Sequence, residues 1–219
     1  MNQMFTKATT NFSFFHLNIR SLAKNFYKLQ DFVSLFNKAP SCIAISETWL
    51  NSESAVGTIQ LQNYTFVYKP SSTRAGGVGL YIQNCLNYSV CHDICMPSSN
   101  CESLWVKIKT NSSKFIYLGV IYRHPNQQFD DFEKDLNGLL TNFNLNNNEY
   151  IITGDFNIDL LKRTSDNKVG RYYQNLESHG CFQYGFRNNA STELATSPIY
   201  ERFLENMDKG KSTYAVFLD

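Results

Sequence analysis

The sequence predicts an α/β chain folded as a layered sandwich, and three observations lead there. Apolar runs of strand length alternate with amphipathic stretches of helical period. The middle of the chain holds several strand-like runs in succession, which a simple doubly wound sheet does not explain. Four of the strand-like runs end on a polar side chain: Asn18, Glu47, Tyr122 and Asp155.

Residues 12–17 (FSFFHL) read as a strand that stops at Asn18. Leu22, Phe26, Leu29, Val33 and Phe36 then recur at steps of three and four, one face of a helix. Pro40 follows its end, and residues 42–45 (CIAI) form a short apolar strand running into Ser46-Glu47-Thr48-Trp49-Leu50. Residues 64–68, 78–82, 103–109 and 115–122 are further strands, with Gly76-Gly77 marking a turn or a close backbone approach. Phe129, Phe132, Leu136, Leu139, Leu140 and Phe143 make a second amphipathic helix. Asparagine-rich residues 142–148 end it as a loop, residues 150–153 form the next strand, and residues 169–176 are helical again.

A chain of 219 residues with 42% hydrophobic and 15% aromatic residues builds a real core, as one domain or one domain plus a fragment. Twenty basic and 19 acidic residues leave a net charge of +1, so no global field draws the chain to nucleic acid. A polyanion would be held by a local groove or a metal. The six cysteines, at 42, 85, 91, 95, 101 and 181, are irregularly spaced, and Cys91-His92, Cys95 and Cys101 match no zinc pattern. Scattered thiols, no apolar leader at the start and no run near the ~20 apolar residues of a span lead us to expect a reduced, intracellular protein without a membrane partner.

The stretch YIITGDFNID (residues 150–159) ends a β-branched run on Gly154, then places Asp155 and Asn157 one residue apart. If the strand continues, the two side chains face the same way. A carboxylate there can hold a hard cation or orient a water, and an amide can donate to a phosphate oxygen. The same pair also serves a loop in which Asp and Asn satisfy turn amides. Glu47 alone reads equally as a solvated end-of-strand charge, Asn18 as an Asx turn, and Tyr122 as packing.

Taken in order, LNIRSL, ISETWL, CESLWV, IYRHP and GDFNIDL resemble the endonuclease/exonuclease/phosphatase superfamily. The nearest likeness is to the apurinic-type endonuclease domain of non-LTR retrotransposons, over residues 11–182. The resemblance implies a four-layer α/β/β/α sandwich, here incomplete at its C-terminal end. It also implies Mg²⁺-assisted hydrolysis of a DNA phosphodiester, with Mn²⁺ as a substitute ion. Glu47 matches the metal-binding glutamate, with Asn18 beside it. Asp155 matches the aspartate that orients or deprotonates the attacking water, and Asn157 the asparagine that contacts the scissile phosphate. Tyr122 matches the tyrosine that stabilises the phosphorane-like transition state. Glu102 and Arg123 are supporting candidates. Arg20 stands where many relatives carry an acidic residue.

The superfamily's C-terminal Ser-Asp-His signature has no counterpart among His16, His92, His124 and His179, and His179 beside Gly180 reads as a helix C-terminal cap. Residues 184–195 resemble the fingers segment of retroelement reverse transcriptases, and residues 212–219 the strand bearing their first catalytic aspartate, matched by Asp219. Residues 183–219 are therefore expected to be a reverse-transcriptase fragment: a helix over 192–207 and a terminal strand. Without the second pair of palm carboxylates it has no polymerase activity. The resemblance thus implies a DNA-nicking domain of a retrotransposon polyprotein, impaired by the missing segment and nuclear if functional. Element RNA is a partner only of an intact parent protein. A catalytically inactive remnant with weak DNA or Mg²⁺ binding is the alternative, and a lipid or small-molecule phosphatase a third.

Overall fold

The computed structural model describes residues 12–52, 54, 56–71, 73, 75–97, 101–109, 115–146, 148–184 and 214–218. Strand β1 (Phe14–Asn18), helix α1 (Leu22–Ser34) and strand β2 (Cys42–Ser46) form the first unit. β1 and β2 pair in parallel, Asn18 opposite Ser46, so their connection must cross over, and α1 is that crossover. β2 is buried along its whole length, which is why its first four residues, CIAI, are apolar without alternation. Its alternate residues serve two cores. Ile43 and Ile45 meet Leu22, Phe26 and Leu29 of α1, whereas Cys42 and Ala44 face the other sheet. Each such fully buried large side chain contributes roughly 1.5–3 kcal/mol.

Strands β3 (Tyr64–Lys69) and β4 (Val78–Gln83) complete the first sheet, in the order β1-β2-β4-β3. The second sheet opens with β5 (Tyr88–Val90), β6 (Cys101–Lys109) and β7 (Phe115–Arg123), an antiparallel series. Helix α2 (Phe129–Leu145) then crosses over to β8 (Glu149–Asp155), parallel to β7 with Tyr122 opposite Asp155. Helix α3 (Asn167–Ser178) leads to β9 (Cys181–Tyr184), and β10 (Tyr214–Leu218) lies between β8 and β9, parallel to both.

Period-two alternation again divides the second sheet between two cores. Val106, Leu118 and Val120 face the first sheet, while Trp105, Ile121 and Ile152 pack under Phe132, Leu136 and Tyr172 of the outer helices. The layers run α1, sheet, sheet, α2 with α3: the expected α/β/β/α sandwich. β5 was not foreseen, because three residues carry too short an alternation to register. β6 begins at Cys101, two residues before the expected strand, which places Glu102 inside the ladder opposite Tyr122. β10 draws the expected C-terminal segment into the same sheet as the endonuclease-like one. The helix expected over 192–207 and Asp219 lie outside the described residues. No described helix is long and apolar enough to cross a membrane.

Candidate active site

Three strands end side by side at one rim. β1 delivers Asn18, β2 delivers Glu47 and β8 delivers Asp155. The Asn18 amide Nδ2 donates to Glu47 Oε1 at 2.8 Å and to Asp155 Oδ2 at 2.8 Å, so side chains 137 positions apart share one amide. The loops are locked to each other as well. Ser21 N–H donates to the Glu47 carbonyl (2.9 Å) and Leu22 N–H to that of Thr48 (2.9 Å), so the open amides at the start of α1 are satisfied by the Glu47 loop.

The backbone at this rim is held in an unfavourable conformation. Among the described residues, six non-glycine positions have positive φ, and five lie in these loops: Arg20, Ser21, Glu47, Trp49 and Asn157. Each costs roughly 1–3 kcal/mol and persists only where surrounding bonds enforce it. Such positions cluster at functional sites, where surrounding contacts hold the strain as part of the arrangement.

The strand carrying Asp155 stops there, so Asp155 and Asn157 do not share a face as i and i+2 of a strand. Asn157 turns into the left-handed region (φ 50°) and its N–H caps Asp155 Oδ1 at 2.9 Å. Its Nδ2 donates to the Arg123 carbonyl at 2.7 Å. Gly154 makes the approach workable: at φ 144°, any Cβ on it would run into the Ile121 carbonyl of β7.

Tyr122 is buried at the same rim, its phenol pushed up to about 12 by burial and then by the charges of Glu47, Asp155 and Glu102; Asn157 hydrogen-bonds to it. It therefore stays protonated and can donate. Glu102 is buried and committed: it accepts from Ser71 Oγ (2.9 Å) and from Gly77 N–H, with His124 Nε2 at 3.4 Å. The expected close approach at Gly76-Gly77 is thus made onto Glu102. Arg123 is also committed: Nη1 donates to the Phe156 and Asn157 carbonyls (3.1 Å each) and Nη2 to Gln127 O (2.7 Å). It braces the Asp155–Asn157 turn from below.

Sequence reasoning missed His124, whose ring stands edge-on to Tyr122 with centroids 4.8 Å apart. The signal was present, since residues 122 and 124 of an extended segment point the same way. His179 does cap α3, followed by Gly180 at φ 73°, and its ring is held by Asn144 (3.0 Å) and Asn137 (2.6 Å). His16 bonds Ser46 Oγ at 3.0 Å and is lowered to about 4 by burial.

The rim suits a hard divalent cation. With Nδ2 donating to two carboxylates, the other amide atom of Asn18 is its oxygen, and Oδ1 is buried with no hydrogen-bond partner among the described residues. A buried acceptor left so costs about 1–3 kcal/mol unless something fills its lone pair. Beside it stands the Glu47 carboxylate. Amide and carboxylate oxygens are the donors that Mg²⁺ takes. Among the described residues no group of three or more His, Cys, Asp or Glu side chains gathers for a metal, so any ion here rests on the mixed amide–carboxylate set.

The Endonuclease/Exonuclease/phosphatase family model matches residues 15–201. Solved structures share the fold. An AP endonuclease from Archaeoglobus fulgidus aligns at a TM-score of 0.58 and 13% identity, over 87% of this chain and 88% of that one. The 3′-5′ exonuclease NExo from Neisseria meningitidis aligns at 0.54 and 12%, over 77% and 71%. The catalytic domain of Xenopus laevis APE2 aligns at 0.53 and 14%, over 75% and 67%. No curated protein matches the sequence. A match covering most of the chain, on a sandwich whose strand ends converge on Asn18, Glu47 and Asp155, places this chain in the Endonuclease/Exonuclease/phosphatase family.

Proposed function

We propose that this chain is a Mg²⁺-dependent phosphodiesterase that nicks DNA, derived from a non-LTR retrotransposon polyprotein. The observation that carries the reading is the single Asn18 amide bridging Glu47 and Asp155, with its own oxygen left for a cation. NExo, which shares the fold, has been solved bound to a product DNA hairpin, and this favours DNA as the partner. The retroelement origin rests on the wording of SETWL, YRHP and GDFN. A nuclear location goes with that origin.

Asn18 Oδ1 and Glu47 would hold Mg²⁺, or Mn²⁺ in its place. The ion would neutralise charge on the non-bridging and leaving oxygens. Asp155, oriented by Asn18 on one oxygen and Asn157 N–H on the other, aims at the attacking water. Asn157, its amide held by Arg123 O and against Tyr122, would turn to the scissile phosphate when substrate enters. Tyr122 donates its proton-retaining hydroxyl to the developing charge. Glu102 and Arg123 position these groups without touching substrate.

A non-catalytic product is the second reading, favoured by the histidines. His16 is spent on Ser46, His179 on Asn144 and Asn137, and His124 lies against Glu102. Losing a phosphate-binding histidine costs on the order of 10²–10⁴ in rate. Plasmid nicking with Mg²⁺ is the test. Nicking that Asp155→Ala lowers by about 10³-fold or more, in a variant with unchanged melting, supports the enzyme. A wild-type chain that melts cooperatively and leaves plasmid intact supports the non-catalytic reading.

A further inference from the structure

Trp49 is 44% exposed and joins none of the three cores, although its neighbours Thr48 and Leu50 are buried at 1% and 4%. Its backbone is left-handed (φ 54°) and firmly mounted. Trp49 N–H donates to Gly76 O (2.8 Å), Thr48 N–H to Gly77 O (3.2 Å), and Ser71 N–H to Leu50 O (2.8 Å). The fold therefore holds a strained backbone at a position whose indole stays partly in water, outside the three cores. Two residues of chain span at most ~7 Å, so the backbone that carries this indole lies next to Glu47.

A cation flanks the same spot. Arg20 is exposed, also left-handed (φ 45°), and among the described residues makes no ion pair. Its carbonyl is held by Asn25 Nδ2 at 2.8 Å, and the next residue, Ser21, is bonded to the Glu47 carbonyl. An aromatic face and a guanidinium on adjoining rigid loops are what a single nucleic-acid strand requires: a surface for a base and a charge for its phosphate.

We propose that Trp49 and Arg20 form a nucleobase subsite beside Glu47. The indole stacks on the base of the nucleotide next to the scissile phosphate, and Arg20 meets a neighbouring phosphate. The proposal rests on the phosphodiesterase reading for what lies at Glu47 and Asp155, and it selects a base-bearing strand over lipid or small phosphate esters.

Intrinsic fluorescence tests it without turnover. Trp105, the only other tryptophan, is fully buried, so emission that responds to a bound strand comes from Trp49. The full chain is titrated in EDTA with a single-stranded oligodeoxynucleotide, and with a tetrahydrofuran abasic strand of equal length and charge. The expected result is quenching by the base-bearing strand alone, with the abasic strand binding about 5- to 150-fold more weakly. Trp49→Ala loses the same factor at unchanged melting temperature, Trp49→Phe keeps most of it, and Arg20→Gln lowers the salt slope by about one. Equal binding of the two strands, or undiminished binding by Trp49→Ala, overturns the subsite. Quenching in a chain that nicks no plasmid upholds the subsite while removing the nuclease reading. Nicking that is indifferent to Trp49 does the reverse.

Discussion

Glu133, on α2, is met by Arg171 of α3, whose Nε lies 2.9 Å from Oε2, and by Asn175 Nδ2 at 2.9 Å. Neighbouring Asp130 is met by Arg171 Nη2 at 2.7 Å and Lys168 Nζ at 3.0 Å. Glu47, at the rim of the sheets, is met by the Asn18 amide, and among the described residues no lysine or arginine pairs with it. Both regions hold carboxylates within the fold, but Glu133 and Asp130 receive cationic side chains whereas Glu47 receives an amide. Where charge serves the fold, the chain brings its own counter-ion. At Glu47 it brings a neutral amide whose own oxygen has no hydrogen-bond partner among the described residues, an arrangement that makes sense when a cation is added from solution.

That contrast can be broken from either side. The largest effect is expected from Asn18→Ala, which should weaken Mg²⁺ binding about 10- to 100-fold by calorimetry while shifting the melting temperature little. A variant that melts several degrees lower but keeps its metal affinity would make the rim a structural network like the helical one. Glu133→Ala should do the opposite. It costs about 1–2 kcal/mol in urea denaturation, because it strands Asn175 and Arg171, and leaves Mg²⁺ affinity unchanged.

The smallest effect comes from pH at the helical face. Burial lowers His179 below 6.5, so the folded state holds fewer protons than the unfolded state in that range. Its contribution is fully present above pH 6.5 and is lost as pH falls through the folded value. His179→Gln should therefore flatten the fall in melting temperature between pH 7 and pH 5. An unchanged slope would assign the acid sensitivity elsewhere.

Much of this was legible in the chain, for identifiable reasons. α1 announced itself because Leu22, Phe26 and Leu29 keep one face, and β2 because a strand buried on both sides must be apolar throughout. The site residues stood out because polar groups at the ends of apolar runs are locally conspicuous. Legibility ended where long-range bonds decide. Asn157 leaves the strand pattern because Arg123 O and Asp155 Oδ1 capture its amides, partners that local period does not reveal. The fate of Glu102 depended on Ser71 and Gly77, 31 and 25 positions away. His124 needed only alternation, continued two residues past Tyr122.

The position of β10 has a consequence for the order of assembly. Val216 pairs with Ile152 and Gln183, so a strand in the sheet interior arrives from far along the polymer. Parallel pairings of this kind are slow to form. Until residues 214–218 dock, β8, with Asp155 at its tip, presents one bare ladder edge, and β9 lacks a strand partner. In that interval the bare edge can also accept the corresponding strand of a second molecule, so interchain exchange becomes a competing outcome at high protein concentration.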